Sequence, residues 1–290
     1  MTILCDWCRA LRVRHYIKNA LLAAAPACSG LLFEPAVVGS LLWGLAAFCA
    51  TASLIYLLND LRDCEQDRLH PTKCRRPLAA GRISRRSAWV AVGVLGAIAL
   101  GANAMTFHPG ASAVLLLYVL LNLAYSFGWK NVPILDIAIL SSGFIFRMLY
   151  GAWLTGIVIS DWLYLTIGAL AFCMALGKRR NELQRQQHSH TRKVLRYYNA
   201  RFLDKNLYVC LGLTNVFYAL WCTDATTAAH YGTTHLPATL PLVLLITMKY
   251  SYHIEGDSEG DPVEVLLHDK VLLLMVGGFL LIMFALLYAR

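Results

Sequence analysis

The sequence predicts an all-α membrane protein, a bundle of about nine transmembrane helices. The 290 residues are 58% hydrophobic and only 15% charged, with a mean hydropathy of +0.54, whereas soluble domains carry about 25% charged residues. The apolar residues form continuous runs instead of alternating with polar ones, which favours helices over a β-barrel in lipid. The basic residues cluster in alternate connections between these runs, a pattern typical of multi-span membrane proteins.

Nine apolar runs come close to the ~20 residues that a helix needs to cross ~30 Å of hydrocarbon. They cover residues 17–33, 36–58, 88–107, 111–127, 134–157, 161–177, 206–222, 236–254 and 266–288. The first run follows basic residues as a signal peptide would, but the topology fits when the run is kept as the first span. We therefore expect a single integral-membrane helical domain over residues 1–290.

The distribution of Lys and Arg predicts the orientation of these spans. Basic residues precede the first run and then fill every second connection, while the connections near Glu34, His108, Asp161 and Asp224 contain none. The positive-inside rule places the N-terminus in the cytosol and the C-terminus outside, which agrees with an odd number of spans. The net charge of +9 thus reflects topology and does not indicate nucleic-acid binding. We expect the cytoplasmic membrane, with charged chemistry on its cytosolic side.

An acidic cluster at the end of the second run predicts a metal site. Asn59 and Asp60 directly follow the run, and Asp63 and Asp67 come next. On one continuous helix the three aspartates fall within an arc of roughly 60°. Carboxylates at the end of an apolar span repel one another and require a cation. Mg²⁺ takes hard oxygen ligands and shares them with substrate phosphates. We expect Asn59, Asp60, Asp63 and Asp67 to hold Mg²⁺, with the aspartates in the catalytic role.

A basic segment at residues 70–82 follows the acidic cluster and carries Lys73 and Arg76. Carboxylates bind the metal, while Arg and Lys bind phosphate oxygens directly. An acidic helix beside a basic segment therefore predicts a metal–diphosphate substrate. The alternative is a solvated helix end whose acids pair with Arg62 and Arg68.

A second group of polar residues flanks the fifth run. Asp136 opens this run, and Arg147 lies eleven residues further, about three turns along the same helix. An arginine within the membrane requires a partner. We expect a carboxylate elsewhere in the chain or a bound phosphate, since Asp136 is too distant. The alternative is an arginine paired structurally within the bundle.

Other polar residues sit where spans enter the cytosol. The basic, aromatic segment at 12–19 either anchors at the membrane interface or faces the same pocket as the acidic cluster. Residues 178–179 emerge directly from the sixth run. The predicted substrate-binding residues are Lys18, Asn19, Asn59, Lys73, Arg76, Tyr125, Lys130, Arg147, Lys178 and Arg179. An acidic stretch at 255–264 has no assigned role, and a solvated loop accounts for it.

These motifs resemble those of the UbiA superfamily of intramembrane prenyltransferases. The resemblance is carried by Asn-Asp-x-x-Asp-x-x-x-Asp at 59–67, by Arg-Pro-Leu-x-x-Gly at 76–81, and by Tyr125, Lys130 and Asp136. It covers nearly the whole chain. Aromatic prenyltransferases of the superfamily carry a second Asp-x-x-x-Asp motif, but here Leu140 stands four residues after Asp136.

Finer details resemble one branch, the decaprenyl-phosphate phosphoribosyltransferases. They are Arg-His-Tyr-Ile-Lys-Asn at 14–19, His-Pro-Thr-Lys at 70–73, Tyr-Ser-Phe-Gly at 125–128 and Gly-Lys-Arg at 177–179. This resemblance implies transfer of 5-phosphoribosyl from phosphoribosyl pyrophosphate (PRPP) to a polyprenyl phosphate, on the path to lipid-linked arabinose for cell-wall polysaccharide.

The resemblance also implies roles for the site residues. Asp60 and Asp63, supported by Asp67 and Asn59, would hold the Mg²⁺ of the PRPP diphosphate. Asp136 would stabilise the ribose cation, bind a ribose hydroxyl or hold a second metal. The basic residues would share three phosphate groupings, and the polyprenyl tail would lie against the bilayer. The rival functions are an aromatic prenyltransferase and a transporter, and the sequence leaves the oligomeric state open.

Overall fold

The structure, a computed structural model, describes residues 3–69, 73–185, 193–256 and 262–288. Within these ranges all regular structure is helical, which confirms the predicted fold class. The α-helices are α1 (Ile3–Ala10), α2 (Ala24–Cys28), α3 (Pro35–Arg62), α4 (Cys64–Arg68), α5 (Arg85–Ala104), α6 (Pro109–Ser126), α7 (Leu135–Thr155), α8 (Asp161–Arg185), α9 (Ala200–Thr223), α10 (Ala225–Tyr231), α11 (Leu240–Glu255), α12 (Pro262–His268) and α13 (Lys270–Tyr288). The 3₁₀ helices cover Val13–Ala23, Lys73–Arg75, Trp129–Asn131, Lys193–Tyr197 and Leu236–Thr239.

Two predicted features fall partly outside the described residues. These are the His-Pro-Thr part of the motif at 70–73 and residues 257–261 of the acidic stretch.

Five helices in the described ranges are long and apolar enough to cross a membrane, namely α3, α5, α6, α7 and α13. Exposed apolar side chains along α5, among them Val90, Val94 and Leu100, give that helix the surface expected against lipid. The other predicted runs lie in α8, in α9 and in α11 with the 3₁₀ turn before it. The count of nine spans and the orientation of the chain ends stay predictions.

The first predicted span is not one continuous α-helix. It forms the 3₁₀ helix Val13–Ala23 followed by the short α2. Tertiary contacts hold this segment, since the Tyr16 and Ser53 hydroxyls lie 2.7 Å apart and Ser53 also donates to the carbonyl of Leu11. A 3₁₀ helix rises about 2.0 Å per residue and an α-helix about 1.5 Å. The segment is therefore longer than an α-helix with the same number of residues would be.

By its packing the chain divides into two compact units. The first comprises residues 1–27, 31–128 and 146–157, and the second comprises residues 28–30, 129–145 and 158–290. The expectation of a single domain stays a prediction.

The first unit packs around an aromatic group. The ring of Phe48 on α3 lies 4.7 Å from that of Tyr118 and 5.4 Å from that of Tyr150, and aliphatic residues surround all three. Gly151 permits a close approach here, because a Cβ at this position would lie 1.9 Å from the carbonyl oxygen of Leu22.

The second unit has two apolar clusters. One joins the start of α7 with α8, α9 and α11, and includes Ile137, Leu176 and Leu207. The other includes Tyr218 and Trp221 of α9 together with α10 and α13. A side-chain cap starts α9, where Asn199 accepts from the N–H of Phe202.

Candidate active site

The acidic cluster lies where α3 ends. The helix stops at Arg62, and Asp63 has a ψ of 5° before α4 begins, so the expectation of one uninterrupted helix through Asp67 is wrong. The helical register nevertheless survives, because Asp63 donates its N–H to Asn59 and Asp67 donates to Asp63, at 2.9 and 2.8 Å. The break is confined to one peptide whose ψ departs from the helical value of about −42°.

One guanidinium joins two aspartates across this break. Nη1 of Arg76 donates to Asp60 at 3.0 Å and to Asp67 at 2.7 Å. The two carboxylates are 4% and 3% exposed, and a buried charge of this kind is stable only with a charged partner. The alternative of a solvated helix end with these acids paired to Arg62 and Arg68 is therefore not what the structure shows.

Arg12 is a site residue that we did not single out from the sequence. Its Nη2 donates to the same Asp60 oxygen at 3.1 Å, and its guanidinium lies 4.4 Å from the centre of the Tyr56 ring. The backbone of Arg12 is left-handed, with φ 55°, which is uncommon outside glycine. The only sequence signal was its membership of the segment at 12–19, and at Arg12 this segment does face the acidic cluster.

The end of α6 contacts the end of α3. The Ser126 hydroxyl donates to the side-chain oxygen of Asn59, and Arg62 donates to the Ser126 carbonyl. The guanidinium of Arg62 also lies 4.5 Å from the centre of the Phe127 ring. Asn59 is thus oriented by Ser126, and its predicted metal contact stays a prediction.

Arg147 and Asn19 form a hydrogen bond with each other in the first unit. Nε of Arg147 donates to the side-chain oxygen of Asn19 at 2.7 Å, and Nη2 lies 3.3 Å from the Tyr118 hydroxyl. The guanidinium also lies 5.1 Å from the centre of the Phe48 ring. Arg147 and Asn19 are 5% and 1% exposed. The partners shown are an amide, a phenol and aromatic rings, where we expected a carboxylate or a phosphate, and the substrate roles of both residues stay predictions.

A second charged cluster lies in the second unit around Asp136. Nε of Arg179 donates to one carboxylate oxygen of Asp136 at 2.5 Å, and the Tyr198 hydroxyl donates to the other at 2.5 Å. Arg179 also pairs with Glu182. Asp136 and Arg179 are completely buried, so neither presents a free group to solvent, and their predicted catalytic and phosphate-binding roles stay predictions.

Tyr198 was missed in the sequence because its partner Asp136 is 62 residues away. No spacing rule connects a tyrosine in the 193–205 connection with a carboxylate at the start of α7. Burial and the hydrogen bond with Asp136 raise the pKa of Tyr198 above its usual value, because both oppose the phenolate. The hydroxyl carries its proton, as a tyrosine does at neutral pH, and donates it to the carboxylate.

The remaining predicted residues are half-buried. They are Asp63, Lys18, Lys73 and Tyr125 in the first unit, and Lys130 and Lys178 in the second. The structure gives each an environment between core and solvent, which suits a side chain that meets a ligand. Their roles stay predictions.

The side chains of the acidic cluster and the two arginines beside it fit Mg²⁺ bound together with a phosphate. Among the residues that the structure describes, no group of three or more His, Cys, Asp or Glu side chains is arranged to hold a metal. Mg²⁺ is usually held by one or two carboxylates and completes its coordination with water and substrate phosphate. Asp60 and Asp67 are two such carboxylates, and Arg12 and Arg76 supply donors for the phosphate oxygens.

A family model identifies the class of protein. The model for the UbiA prenyltransferase family matches residues 20–267. A UbiA homolog from Archaeoglobus fulgidus, solved bound to DMAPP and Mg²⁺, superposes with a TM-score of 0.71 at 20% identity, over 97% of this chain and 99% of that one. The chain belongs to the UbiA prenyltransferase family.

Curated relatives narrow the assignment within the family. The decaprenyl-phosphate phosphoribosyltransferase of Mycolicibacterium smegmatis is 35% identical over 283 residues, covering 91% of this chain and 86% of the relative. The protein of the same name from Corynebacterium glutamicum is 34% identical over 270 residues, covering 91% and 81%. The resemblance to this branch, drawn above from the motifs, is thereby confirmed.

Proposed function

We propose that this protein transfers the 5-phosphoribosyl group of PRPP to a polyprenyl phosphate of the decaprenyl type and releases diphosphate. The observation that carries the proposal is the cluster of Asp60 and Asp67 held between Arg76 and Arg12. Two buried carboxylates and two guanidiniums at one point supply oxygen ligands for a metal and donors for phosphate. A cation site alone would not need the arginines.

The names of the relatives support the choice of substrates. Proteins called decaprenyl-phosphate phosphoribosyltransferase match more than nine-tenths of this chain. The lipid named there is decaprenyl phosphate, and PRPP is the donor that we propose for the phosphoribosyl group. The product is a precursor for lipid-linked arabinose.

Mg²⁺ is the proposed cofactor, held by Asp60 and Asp67 with Asn59 and Asp63 in support. When bound, it would neutralise the negative charge of the departing diphosphate. Arg12 and Arg76 lie within hydrogen-bond distance of Asp60, so they are placed to bind diphosphate oxygens beside these carboxylates.

The reaction requires one bond to form and one to break. A phosphate oxygen of the lipid bonds to ribose C1, and the bond from C1 to the diphosphate oxygen breaks. The attacking phosphate is already an anion, so no residue has to remove a proton. The chain must therefore hold three phosphate groupings, for which we propose the arginines of the cluster together with Lys18, Lys73, Lys130 and Lys178, without dividing them among the groups.

The rival function of an aromatic prenyltransferase is disfavoured at Leu140. This residue stands where the second carboxylate of the Asp-x-x-x-Asp motif would be, and it packs against the apolar cluster of the second unit. A carboxylate that holds a metal is absent from that position. We therefore propose a ribosyl donor instead of a prenyl diphosphate donor.

We further propose that the protein lies in the cytoplasmic membrane with its site open to the cytosol. PRPP is a highly charged solute, and the charged residues of the chain cluster in the connections predicted to be cytosolic. The apolar tail of the second substrate would lie against the apolar surfaces of the helices.

The experiment measures transfer of labelled phosphoribosyl from PRPP to decaprenyl phosphate by purified full-length protein in lipid nanodiscs. Asp67→Asn should lower kcat/KM about 100-fold, as removal of a charge that acts on the leaving group does. Glu65→Gln is the matched control, because Glu65 lies on the same short helix but is 64% exposed and pairs with Arg68. It should retain full activity.

Two results would contradict the proposal. Transfer from a prenyl diphosphate to an aromatic acceptor, without transfer from PRPP, would favour the aromatic prenyltransferase. Near-normal transfer by Asp67→Asn would show that Asp67 is not a metal ligand, even if PRPP is the donor.

A further inference from the structure

The segment at 129–134 carries Lys130 and leads directly into α7. Its last residue, Ile134, has a φ of +68°, a conformation that β-branched residues rarely adopt. The side chain of Ile134 is 63% exposed, so its own packing does not account for this conformation. Some other contact must hold the backbone there.

Backbone hydrogen bonds such as Asp136 N–H to the Val132 carbonyl close this turn, and the one side-chain contact given for the Ile134 N–H is the hydroxyl of Tyr198. The N–H of Ile134 donates to the Tyr198 oxygen at 2.6 Å, and the same hydroxyl donates to Asp136 at 2.5 Å. The Tyr198 hydroxyl therefore forms hydrogen bonds with both Ile134, whose backbone is strained, and Asp136 in the first turn of α7. The Tyr198 ring is itself held, since it is 8% exposed and stacks on Phe202 with 6.0 Å between ring centres and 9° between planes.

The other carboxylate oxygen of Asp136 also accepts a hydrogen bond. This oxygen accepts from Arg179, and Arg179 also pairs with Glu182 on the same helix. With both of its oxygens engaged and no exposed surface, Asp136 is placed to orient the Tyr198 hydroxyl. The pairing of a phenol with a buried, charge-paired carboxylate gives a short and directional hydrogen bond.

We propose that Tyr198 is a positioning residue that fixes the 129–134 segment, and with it Lys130, for contact with a substrate phosphate. Asp136 then acts through Tyr198 by holding its hydroxyl, and does not touch the ribose. The proposed contact between Lys130 and a substrate phosphate rests on the function proposed above. The proposed role of Tyr198 in holding the backbone of residues 129–134 does not depend on that function.

The test is Tyr198→Phe in full-length protein in nanodiscs, which keeps the ring and removes one oxygen. Hydrogen–deuterium exchange at residues 131–136 should accelerate about tenfold, and the KM for PRPP should rise about tenfold while kcat changes less than about threefold. The matched control is Tyr197→Phe. The neighbouring Tyr197 is 58% exposed and its hydroxyl accepts from Arg196, so both measurements should stay at the wild-type values.

A second variant guards against general loss of structure. Ile134→Asn in the Tyr198→Phe background should restore the wild-type KM, because asparagine adopts a positive φ more readily than isoleucine. Damage to the core around Tyr198 would not be rescued in this way.

Three results would overturn the inference. They are unchanged exchange at 131–136 in Tyr198→Phe, faster exchange with an unchanged KM, or a fall in kcat alone. If the wild-type protein did not use PRPP, the proposed function would fail, and the exchange measurement would still decide whether Tyr198 holds the segment.

Discussion

At the scale of single residues, two guanidiniums share the carboxylate of Asp60, which we propose as a metal ligand. The same oxygen of Asp60 accepts from Arg12 at 3.1 Å and from Arg76 at 3.0 Å. A cation that binds this carboxylate has to compete with both arginines. When a diphosphate enters with the metal, its oxygens offer the arginines new acceptors. The cluster is therefore suited to bind metal and phosphate together more tightly than metal alone.

This competition predicts the effect of Arg12→Gln. In the absence of substrate, the affinity for Mn²⁺, used as a paramagnetic substitute for Mg²⁺, should rise about threefold to tenfold, because one competing charge-assisted hydrogen bond is lost. The affinity for PRPP should fall by a similar factor. Electron paramagnetic resonance measures free Mn²⁺, and equilibrium binding measures PRPP.

Arg14→Gln is the control for this variant, because Arg14 lies two residues away and is exposed. It removes the same net charge without the contact to Asp60. If Arg14→Gln raised Mn²⁺ affinity as much as Arg12→Gln, the effect would be one of overall charge and the competition at Asp60 would be refuted.

The residues that the sequence predicted at this site were close together in the chain. Asp60 and Asp67 are seven residues apart on helical backbone, so helical geometry alone placed them on one side. Arg12 contacts Asp60 from 48 residues away, and Tyr198 contacts Asp136 from 62 residues away. Contacts of this kind depend on how the helices pack, which spacing does not encode.

At the scale of helices, the apolar runs predicted the positions of α3, α5, α6, α7 and α13, because length and hydropathy determine a spanning helix. They failed to predict the 3₁₀ form of Val13–Ala23. That form depends on contacts with other helices, such as Tyr16 with Ser53. Backbone hydrogen bonding within a segment can be satisfied by either helix type, so the tertiary contacts select between them.

The packing of this segment predicts that Gly151→Ala destabilises the protein. The added methyl would lie 1.9 Å from the Leu22 carbonyl oxygen, and the backbone of the 3₁₀ segment would have to move. Overpacking of this kind costs about 1–3 kcal/mol, so the melting temperature in detergent should fall by several degrees.

Gly168→Ala is the matched control for this substitution. Gly168 also lies within a helix, α8, and a Cβ there would meet nothing within 4 Å. Alanine is the better helix former by about 1 kcal/mol, so this variant should melt at or slightly above the wild-type temperature. Equal melting temperatures for Gly151→Ala and the wild type would show that the 3₁₀ segment does not pack against α7 as described.

At the scale of the whole molecule, the arrangement of charge connects topology with function. Lys and Arg fill every second connection, and the motifs at 59–82, 125–136 and 177–179 all lie in or beside these basic connections. If the positive-inside rule holds for this chain, all these motifs belong to the cytosolic side. A soluble, highly charged donor such as PRPP and the motifs would then occupy the same compartment.

This arrangement predicts opposite locations for two reporters. Alkaline phosphatase fused after Arg290 should be active and green fluorescent protein fused there should be dark, because an odd number of spans from a cytosolic N-terminus ends outside. The same reporters inserted within residues 186–192 should behave in the reverse way, because nine basic residues between 178 and 205 retain that connection in the cytosol. Fluorescence at both positions would contradict this prediction, because it would require an even number of spans. The segment at 13–28 would then be the first candidate for a segment that enters the membrane without crossing it, since it is the predicted span that least resembles a continuous α-helix.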